Sequence, residues 1–454
     1  MSSPRAAVLR SDLRAIYLDG IVYSLMVGLG ETYVPAFALA LGKSEAVAAL
    51  VATLPMLAGA LLQLLSLRLV PHIRSLRRWV VLCVLLQALC FAPLIACAWS
   101  GRMPTLLLFA VMALYWTVGL SSGPAWSTWV ETLVPRPLRI HYFAVRTRML
   151  HAAALAGLAL GGWLLQETRA ALPATRGFVI LFAGAALART ASALCLAGQS
   201  ERAEARPRTR IVGLAEFARR LAHGRDGRLL AYMLALQFSA QVAQPFFTPF
   251  MLSRLELDYA HYMGLVSAAF LAKSLSLGLH RRFAQRFGVR ALLWAGAIGL
   301  VPCSLPWLAT DSYVLLCATQ LFTGAAWAAW ELATFLLVFD AVEAEERPSV
   351  LTSYSAGNAL AFVLGSLGGT ALLTGAGAGR TGYVLVFGAS ALLRLAALGL
   401  LARVPRFEPR AAPLGSGVEA LRPSAGSIDE PLLPQLERPA AAGRGAESAS
   451  RVKS

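Results

Sequence analysis

Charge is scarce in this chain of 454 residues. Asp, Glu, Lys and Arg make up 14% of it, where an ordinary soluble protein carries about a quarter; 57% is hydrophobic and the mean hydropathy is +0.62. So few charges cannot hydrate the surface of a soluble fold this long, and a bilayer is the expected solvent. Acids are scarcer than bases, 24 against 41, leaving a formal net charge of +17. In a polar chain that surplus would suggest nucleic acid. In one this apolar it fits arginines held in loops at a membrane surface, and no nucleic-acid partner is expected. The six cysteines (Cys83, Cys90, Cys97, Cys195, Cys303, Cys317) all sit inside apolar runs. They read as small buried side chains rather than as disulfides or metal ligands.

Catalytic signatures are missing as well. None of the six histidines (His72, His141, His151, His223, His261, His280) lies in an H-E-x-x-H pattern. The letters Gly-x-Ser-x-Gly occur only at Gly119 to Gly123, inside an apolar run where no strand-to-helix elbow is expected, and there is no phosphate-binding loop. Neither an enzyme nor an ATP-driven pump is expected, and no cofactor beyond a proton gradient. A cleavable leader is not expected either, because Met1 to Arg14 is polar and basic and the first apolar run is too long for one.

What is present is a series of apolar runs near the length of about 20 residues that a bilayer requires. They fall at 15–40, 46–70, 79–99, 104–130, 144–166 and 175–198, then at 227–252, 259–280, 290–309, 313–339, 350–374 and 381–402. These are spans 1 to 12 of an all-α polytopic membrane protein with two six-helix bundles. Between the bundles stands the most polar stretch, which holds eight arginines (Arg202, Arg206, Arg208, Arg210, Arg219, Arg220, Arg225, Arg228). The expected organisation is a cytoplasmic tail at 1–14, a bundle at 15–198, a basic central loop with an interfacial helix at 199–226, a second bundle at 227–404 and a disordered tail at 405–454. With the N-terminus inside, 27 lysines and arginines face the cytoplasm and six (Lys43, Arg102, Arg169, Arg176, Arg254, Arg380) face out. Both termini are therefore expected in the cytoplasm, in the inner or plasma membrane of a cell. Heavy use of Ala, Arg and Leu points to a GC-rich bacterial genome.

The halves look like copies. Span 4 carries Gly123-Pro124-Ala125-Trp126-Ser127-Thr128-Trp129 and span 10 carries Gly324-Ala325-Ala326-Trp327-Ala328-Ala329-Trp330, both G-x-x-W-x-x-W. Ser24, Gly28 and Glu31 form a helical stripe in span 1, and Gln237, Gln241 and Gln244 form one 213 positions later in span 7. Pro35 and Pro249 agree at 214. Several matches in register argue for duplication.

Between spans 8 and 9 the sequence runs Arg281-Arg282-Phe283-Ala284-Gln285-Arg286-Phe287-Gly288-Val289-Arg290. With the two basic-linked halves, this resembles the major facilitator superfamily, whose loop signature is Gly-x-Leu-Ala-Asp-Arg-x-Gly-x-Arg. The resemblance covers about residues 12–405. It implies a twelve-helix transporter in which spans 1, 4, 7 and 10 line a central cavity, with Arg286, Gly288 and Arg290 in a gating loop. The signature's first Gly and its Asp are absent, and the copy at Pro71 to Arg78 keeps only positive charge. Span 5 reads Ala153-x-x-x-Gly157-Leu158-Ala159-Leu160-Gly161-Gly162, similar to the family's antiporter motif without its proline. Close packing through small residues explains that spacing equally.

A carboxylate deep in a bilayer should face a cavity or a partner. Asp19 and Glu31 in span 1, Glu131 in span 4 and Glu331 in span 10 qualify. Glu31 and Glu331 are the deeper pair and, since burial favours the neutral acid, the natural sites of proton coupling. Lys273, mid-membrane in span 8, needs a counter-ion, Glu31 or Glu331, or else an anionic group on a solute. Gln237, Gln241 and Gln244 are expected to line the cavity, because lipid would leave three amides unsatisfied. Trp126, Trp129, Trp327 and Trp330 can pack between helices or stack on a solute. Arg189 and Arg394 are expected to snorkel to headgroups, and Arg139, Arg146, Arg148 and His141 to anchor the entrance of span 5. The function expected is proton-coupled efflux of a small solute by alternating access, in a monomer. The alternative is uptake or facilitated diffusion of a neutral or anionic solute, and a sensor or assembly role is the third reading.

Overall fold

The computed structural model describes residues 4–69, 73, 75–134, 139–169, 171–201, 212–343, 346–377 and 379–406. The tail from residue 407, the arginine-rich 202–211 and the centre of the first signature copy at 70–72 and 74 lie outside the described residues. Among the described residues every regular element is a helix.

Eleven helices are long and apolar enough to cross a membrane, from Val8–Ala40 to Arg380–Ala402, and they account for spans 1–6 and 8–12. Span 7 corrects the continuous run expected at 227–252. Its helix Arg225–Gln241 holds 17 residues and gives way to a 3-10 turn, Gln244–Phe246, before short helical pieces reach Arg254. Pro245 has no N–H to offer the carbonyl of Gln241, and its ring crowds that carbonyl. Span 1 breaks in the same way. Helix Pro4–Leu29 stops, Glu31–Tyr33 forms a 3-10 turn, and helix Val34–Ala40 resumes with Pro35 in its first turn. The two turns begin at Glu31 and Gln244, at the 213-residue offset of the repeat. Residues 4–14, expected as part of a tail, instead continue the helix of span 1. They are rich in Ala, Leu and Arg, and no Gly or Pro follows Pro4 to interrupt them.

Spans 1 and 5 touch backbone to backbone. A Cβ on Gly28 would lie 2.3 Å from the carbonyl oxygen of Ala154, and one on Gly157 2.7 Å from that of Leu25. Gly161 and Gly162 leave room for the ring of Tyr33, whose hydroxyl donates to the Leu158 carbonyl at 2.6 Å. Packing therefore accounts for the small residues of span 5. The second half repeats the pairing: Gly365 and Gly369 of span 11 lie against the carbonyls of Phe238 and Val242 in span 7.

Three apolar cores divide the molecule. The largest mixes both halves, joining Tyr33, Phe37 and Phe178 to Phe246, Tyr262 and Tyr383 near the turns at 41–44 and 255–258. A second lies within the second half around Tyr232 and Trp330, and a third within the first half around Trp126 and Trp129, both toward the opposite face. The halves are thus joined at one face and hold separate cores at the face that carries the central segment. That segment's helix, Leu214–His223, docks on the second half rather than lying free on the membrane surface as expected. Phe217 is buried in that core beside Val212, whose N–H donates to Ser349 Oγ at 2.7 Å, and Arg220 bridges Glu346 and Asp226 at 2.5 and 3.3 Å. Protein, not lipid, covers its apolar side.

Because the contact of spans 1 and 5 has no space for a side chain, Gly28→Val forces the backbones apart at a cost of about 1–3 kcal/mol. The purified variant should show a clearly lowered thermal midpoint. Gly388→Ala, where nothing lies within 4 Å of the added Cβ, should leave it within error.

Candidate functional site

The two helix breaks face each other across a cavity of about 300 Å³ between the halves. Unwound backbone is tolerated at membrane depth only where protein or a cavity meets it, and here Glu31, Pro35, Gln241, Gln244 and Pro245 all line the space. Glu31 is half-buried, and Tyr115 of span 4 donates its hydroxyl to Glu31 Oε2 at 2.7 Å. No cation lies within ion-pair distance of Glu31 among the described residues. Glu31 is also the only Asp or Glu among the residues lining the cavity.

Glu331 is placed differently. It is 3% exposed, lies behind the wall, and pairs with Lys273 Nζ at 2.8 Å, while Lys273 itself lines the cavity. The lysine's partner is thus Glu331 and not Glu31. Of the three span-7 amides, Gln241 and Gln244 line the cavity and bond each other, Nε2 to Oε1 at 3.3 Å. Gln237, one turn earlier, is buried away from it.

The tryptophan pairs are alike in sequence and unlike in place. Only Trp327 lines the cavity. Trp330, edge-on to it at 5.5 Å, donates to the Tyr232 hydroxyl at 3.0 Å inside the second-half core. Trp126 lies under the guanidinium of Arg146 at 5.0 Å, and Trp129 donates to the Ser200 carbonyl at 2.9 Å, both within the first-half core. Those three pack between helices.

Asp19 is 1% exposed and accepts a bond from Ser192 Oγ at 2.6 Å. Ser192 in turn accepts from Arg189 Nη1 at 3.1 Å, and Arg189 Nη2 donates to Gln87 Oε1 at 2.5 Å with its guanidinium over the Tyr23 ring. Asp19 is therefore part of a buried network, not a solvated interfacial charge. Arg189 does not snorkel, and neither does Arg394, which is 3% exposed and donates from Nη1 to the Leu300 carbonyl at 2.8 Å. Both point into the bundle, Arg189 onto side-chain partners and Arg394 onto a single backbone carbonyl. The side chains of Glu131, Arg139, His141 and Arg148 lie outside the described residues.

At the turn between spans 8 and 9, Gly288 has φ +89°, a backbone angle that side chains with a Cβ rarely adopt. Arg290 Nη1 donates to the Val404 carbonyl at 2.7 Å and so ties span 9 to the end of span 12. Arg286 rests 5.2 Å from the ring of Phe287.

Several residues that bridge the halves escaped the sequence reading. Thr53 Oγ1 and Ser366 Oγ lie 2.8 Å apart, and His151 Nδ1 lies 3.3 Å from Ser274 Oγ. Glu45 meets Arg254 at 3.5 Å and accepts from the Tyr383 hydroxyl at 2.8 Å. Ser44-Glu45 reads as an ordinary helix start, and Ser44 does cap Val47 N–H; nothing local foretells a partner in the other half.

Removing one member of a buried ion pair strands the other charge at about 3–5 kcal/mol, while replacing both is far milder. Lys273→Met and Glu331→Gln should therefore each lower the thermal midpoint, and the double variant should recover most of the loss.

No protein-family model and no curated protein matches the chain. Among solved structures it is similar to the nucleoside transporter NupG, with 13% identity, a TM-score of 0.64, and coverage of 87% of this chain and 98% of that one. It is similar to a D-xylose-proton symporter, with 16% identity, a TM-score of 0.64, and coverage of 88% and 98%. A bacterial homolog of the human lysosomal transporter Spinster, inward-facing and unoccupied, matches with 14% identity, a TM-score of 0.60, and coverage of 89% and 95%. At such identities the likeness is one of fold: this chain is a multi-pass membrane protein with the major facilitator fold.

Proposed function

We propose that the protein is a secondary transporter that exports a small amphipathic solute by alternating access, coupled to protons through Glu31. The supporting observation is the place of that carboxylate, on the cavity wall at a helix break, with a tyrosine donor and, among the described residues, no cation within ion-pair distance. Such a group can take up a proton when the cavity faces one side and release it when solute arrives from the other. Glu331, the other deep acid, is held by Lys273 and serves instead to fix spans 8 and 10. Aromatic and amide side chains, among them Trp116, Phe270, Trp327, Gln241 and Gln244, line the cavity and suit an amphipathic solute.

The shared core and the Thr53–Ser366 and Glu45–Tyr383 contacts close the face away from the central segment. With the termini cytoplasmic, as the arginine bias predicts, this is an inward-facing arrangement of a monomer in the bacterial inner membrane. A second reading, uptake or facilitated diffusion of an anionic solute, is favoured by Arg394 on the same cavity wall.

Proton flux in energised inverted membrane vesicles, measured against a compound library, tests the coupling. A substrate should collapse the pH gradient in the wild type and in Glu45→Gln but not in Glu31→Gln. If Glu31→Gln still couples, the assignment fails; if no compound moves protons in the wild type, proton-coupled export fails with it. Alternating access has its own check. The pair Thr53→Cys and Ser366→Cys, oxidised to a cross-link, should arrest solute flux in proteoliposomes, and reductant should restore it. Unchanged flux with the link formed would rule out rocking at this face.

A further inference from the structure

The repeat places two arginines at equivalent positions, and only one of them has side-chain hydrogen-bond partners; the Nε of each is without one. Spans 6 and 12 align at an offset of 205, which matches Phe182 with Phe387 and Leu196 with Leu401, all four buried. At the same offset Arg189 matches Arg394. Spans 3 and 9 align at 213, matching Cys90 with Cys303, each of whose thiols donates to the carbonyl four residues earlier. Spans 1 and 7 share that 213 offset through their helix breaks.

In the first half, Arg189 is served by Gln87 and Ser192, and Ser192 carries the link onward to the carboxylate of Asp19. The equivalents of those three residues in the second half are Leu300, Ala397 and Tyr232. The amide, the hydroxyl and the acid are all gone, and Tyr232 is engaged by Trp330. The arginine alone remains. Arg394 keeps one bond, to the backbone carbonyl of Leu300, and its Nε has no hydrogen-bond partner. No carboxylate pairs with it among the described residues.

The two arginines also differ in outlook. Arg189 does not border the central cavity, whereas Arg394 does, at 3% exposure. Thr323, on the same wall, turns its buried hydroxyl toward the Cys303 thiol. Lys273, the other cation there, is already neutralised by Glu331. A guanidinium has five donors in a planar fork that matches carboxylate, sulfonate or phosphate oxygens two at a time. Leaving it charged, buried and unpaired is expensive unless an anion arrives from elsewhere.

We infer that Arg394 is the docking point for the anionic group of the transported solute, so that the substrates are small organic anions with an aromatic or amphipathic body. The inference rests on the reading of the central cavity as the solute pathway, and it holds for either direction of transport. The lost partners explain the binding. In the first half a built-in amide and a hydroxyl, itself bonded to an acid, take the two terminal nitrogens of the arginine, and in the second half the solute supplies the oxygens. Its apolar body then lies against Trp307 and Trp327, which share that side of the cavity.

The test uses full-length protein in lipid nanodiscs and four probes of one shape: 2-naphthoate, 2-naphthalenesulfonate, 2-naphthyl phosphate and the neutral 2-naphthamide. Equilibrium affinities are read after subtraction of nanodiscs without protein. At least one anion should bind the wild type about tenfold or more tighter than the amide, the scale of a charge-assisted bidentate contact. Arg394→Gln should abolish that preference and leave naphthamide binding nearly unchanged. Arg394→Lys, which keeps the charge without the fork, should lower it severalfold. The inference is overturned if no anion outbinds the amide in the wild type, or if the preference survives Arg394→Gln. Should Arg394→Gln not fold, an undiminished preference in Arg394→Lys overturns it as well. Flux of labelled naphthoate into proteoliposomes separates this from the transport reading. Anion preference without flux of any probe defeats transport and leaves the subsite; flux without preference does the reverse.

Discussion

A bilayer offers no water to an unpaired peptide group, and the rest of this structure depends on that constraint. Helices can break in hydrocarbon only where protein or a cavity meets the freed backbone. Spans 1 and 7 both break, at Glu31–Tyr33 and Gln244–Phe246, and the breaks mark where the halves must face each other. The prolines that enforce them sit just beyond or inside the turns, so the chain gives up helical bonds at two repeat-related points. Glycines then let the flanking helices close against spans 5 and 11, and the cavity is what remains between.

The same constraint governs charge. Each buried ionisable group has to find its partner within the bundle, and the two halves solve this unequally. The first builds a chain from Gln87 through Arg189 and Ser192 to Asp19. The second pairs Lys273 with Glu331 and leaves Arg394 with a single carbonyl. Glu31 stands apart from both, facing the cavity with Tyr115. A duplicated scaffold has thus kept its packing positions, Phe182 and Phe387 or Cys90 and Cys303, while the polar residues between them diverged. Under the proposed function, divergence at these polar positions is where a difference in solute would be written on a fixed fold.

Much of this was legible in the chain itself, for definite physical reasons. Hydropathy locates the spans because a bilayer fixes their length, and the 213-residue offset announces the duplication before any fold is known. The span-7 stripe of Gln237, Gln241 and Gln244 was readable because polar groups on an apolar helix need a cavity, and two of the three, Gln241 and Gln244, line it beside Glu31 of span 1 while Gln237 does not. Other features were hidden by the way partners are supplied. The four tryptophans obey one pattern, yet their surroundings come from different spans: all four end in cores, and of them only Trp327 also borders the cavity. Arg189 and Arg394 look alike along the chain, and what distinguishes them lies about a hundred residues away in spans 3 and 9. The break of span 7 carried its own signal in Pro245, but apolar residues on either side of the turn, such as Val242, Phe246 and Phe247, kept the run long enough to read as one span.

Closure at one face and separation at the other follow from where apolar surface was placed. Phe37, Phe178, Phe246 and Tyr383 mix the halves near the turns at 41–44 and 255–258, so that end holds together as one core. At the opposite end each half buries its own tryptophans and its own capping contacts: Glu201 takes up the Leu76 N–H of span 3, and Arg290 the Val404 carbonyl of span 12. Those contacts are satisfied inside a half and lose nothing when the halves part. The inter-half polar contacts seen among the described residues are few and borne by side chains: Thr53 with Ser366, His151 with Ser274, and Glu45 with Arg254 and Tyr383. Hydroxyls and charges can exchange these bonds for water when that end opens, so the cost of separation falls mainly on the shared apolar core. In the proposed alternating access, a solute docked on Arg394 with its body on Trp307 and Trp327 would still face Glu31 and Trp116 across the cavity, and any contact it made there would draw the open end together and bias the motion.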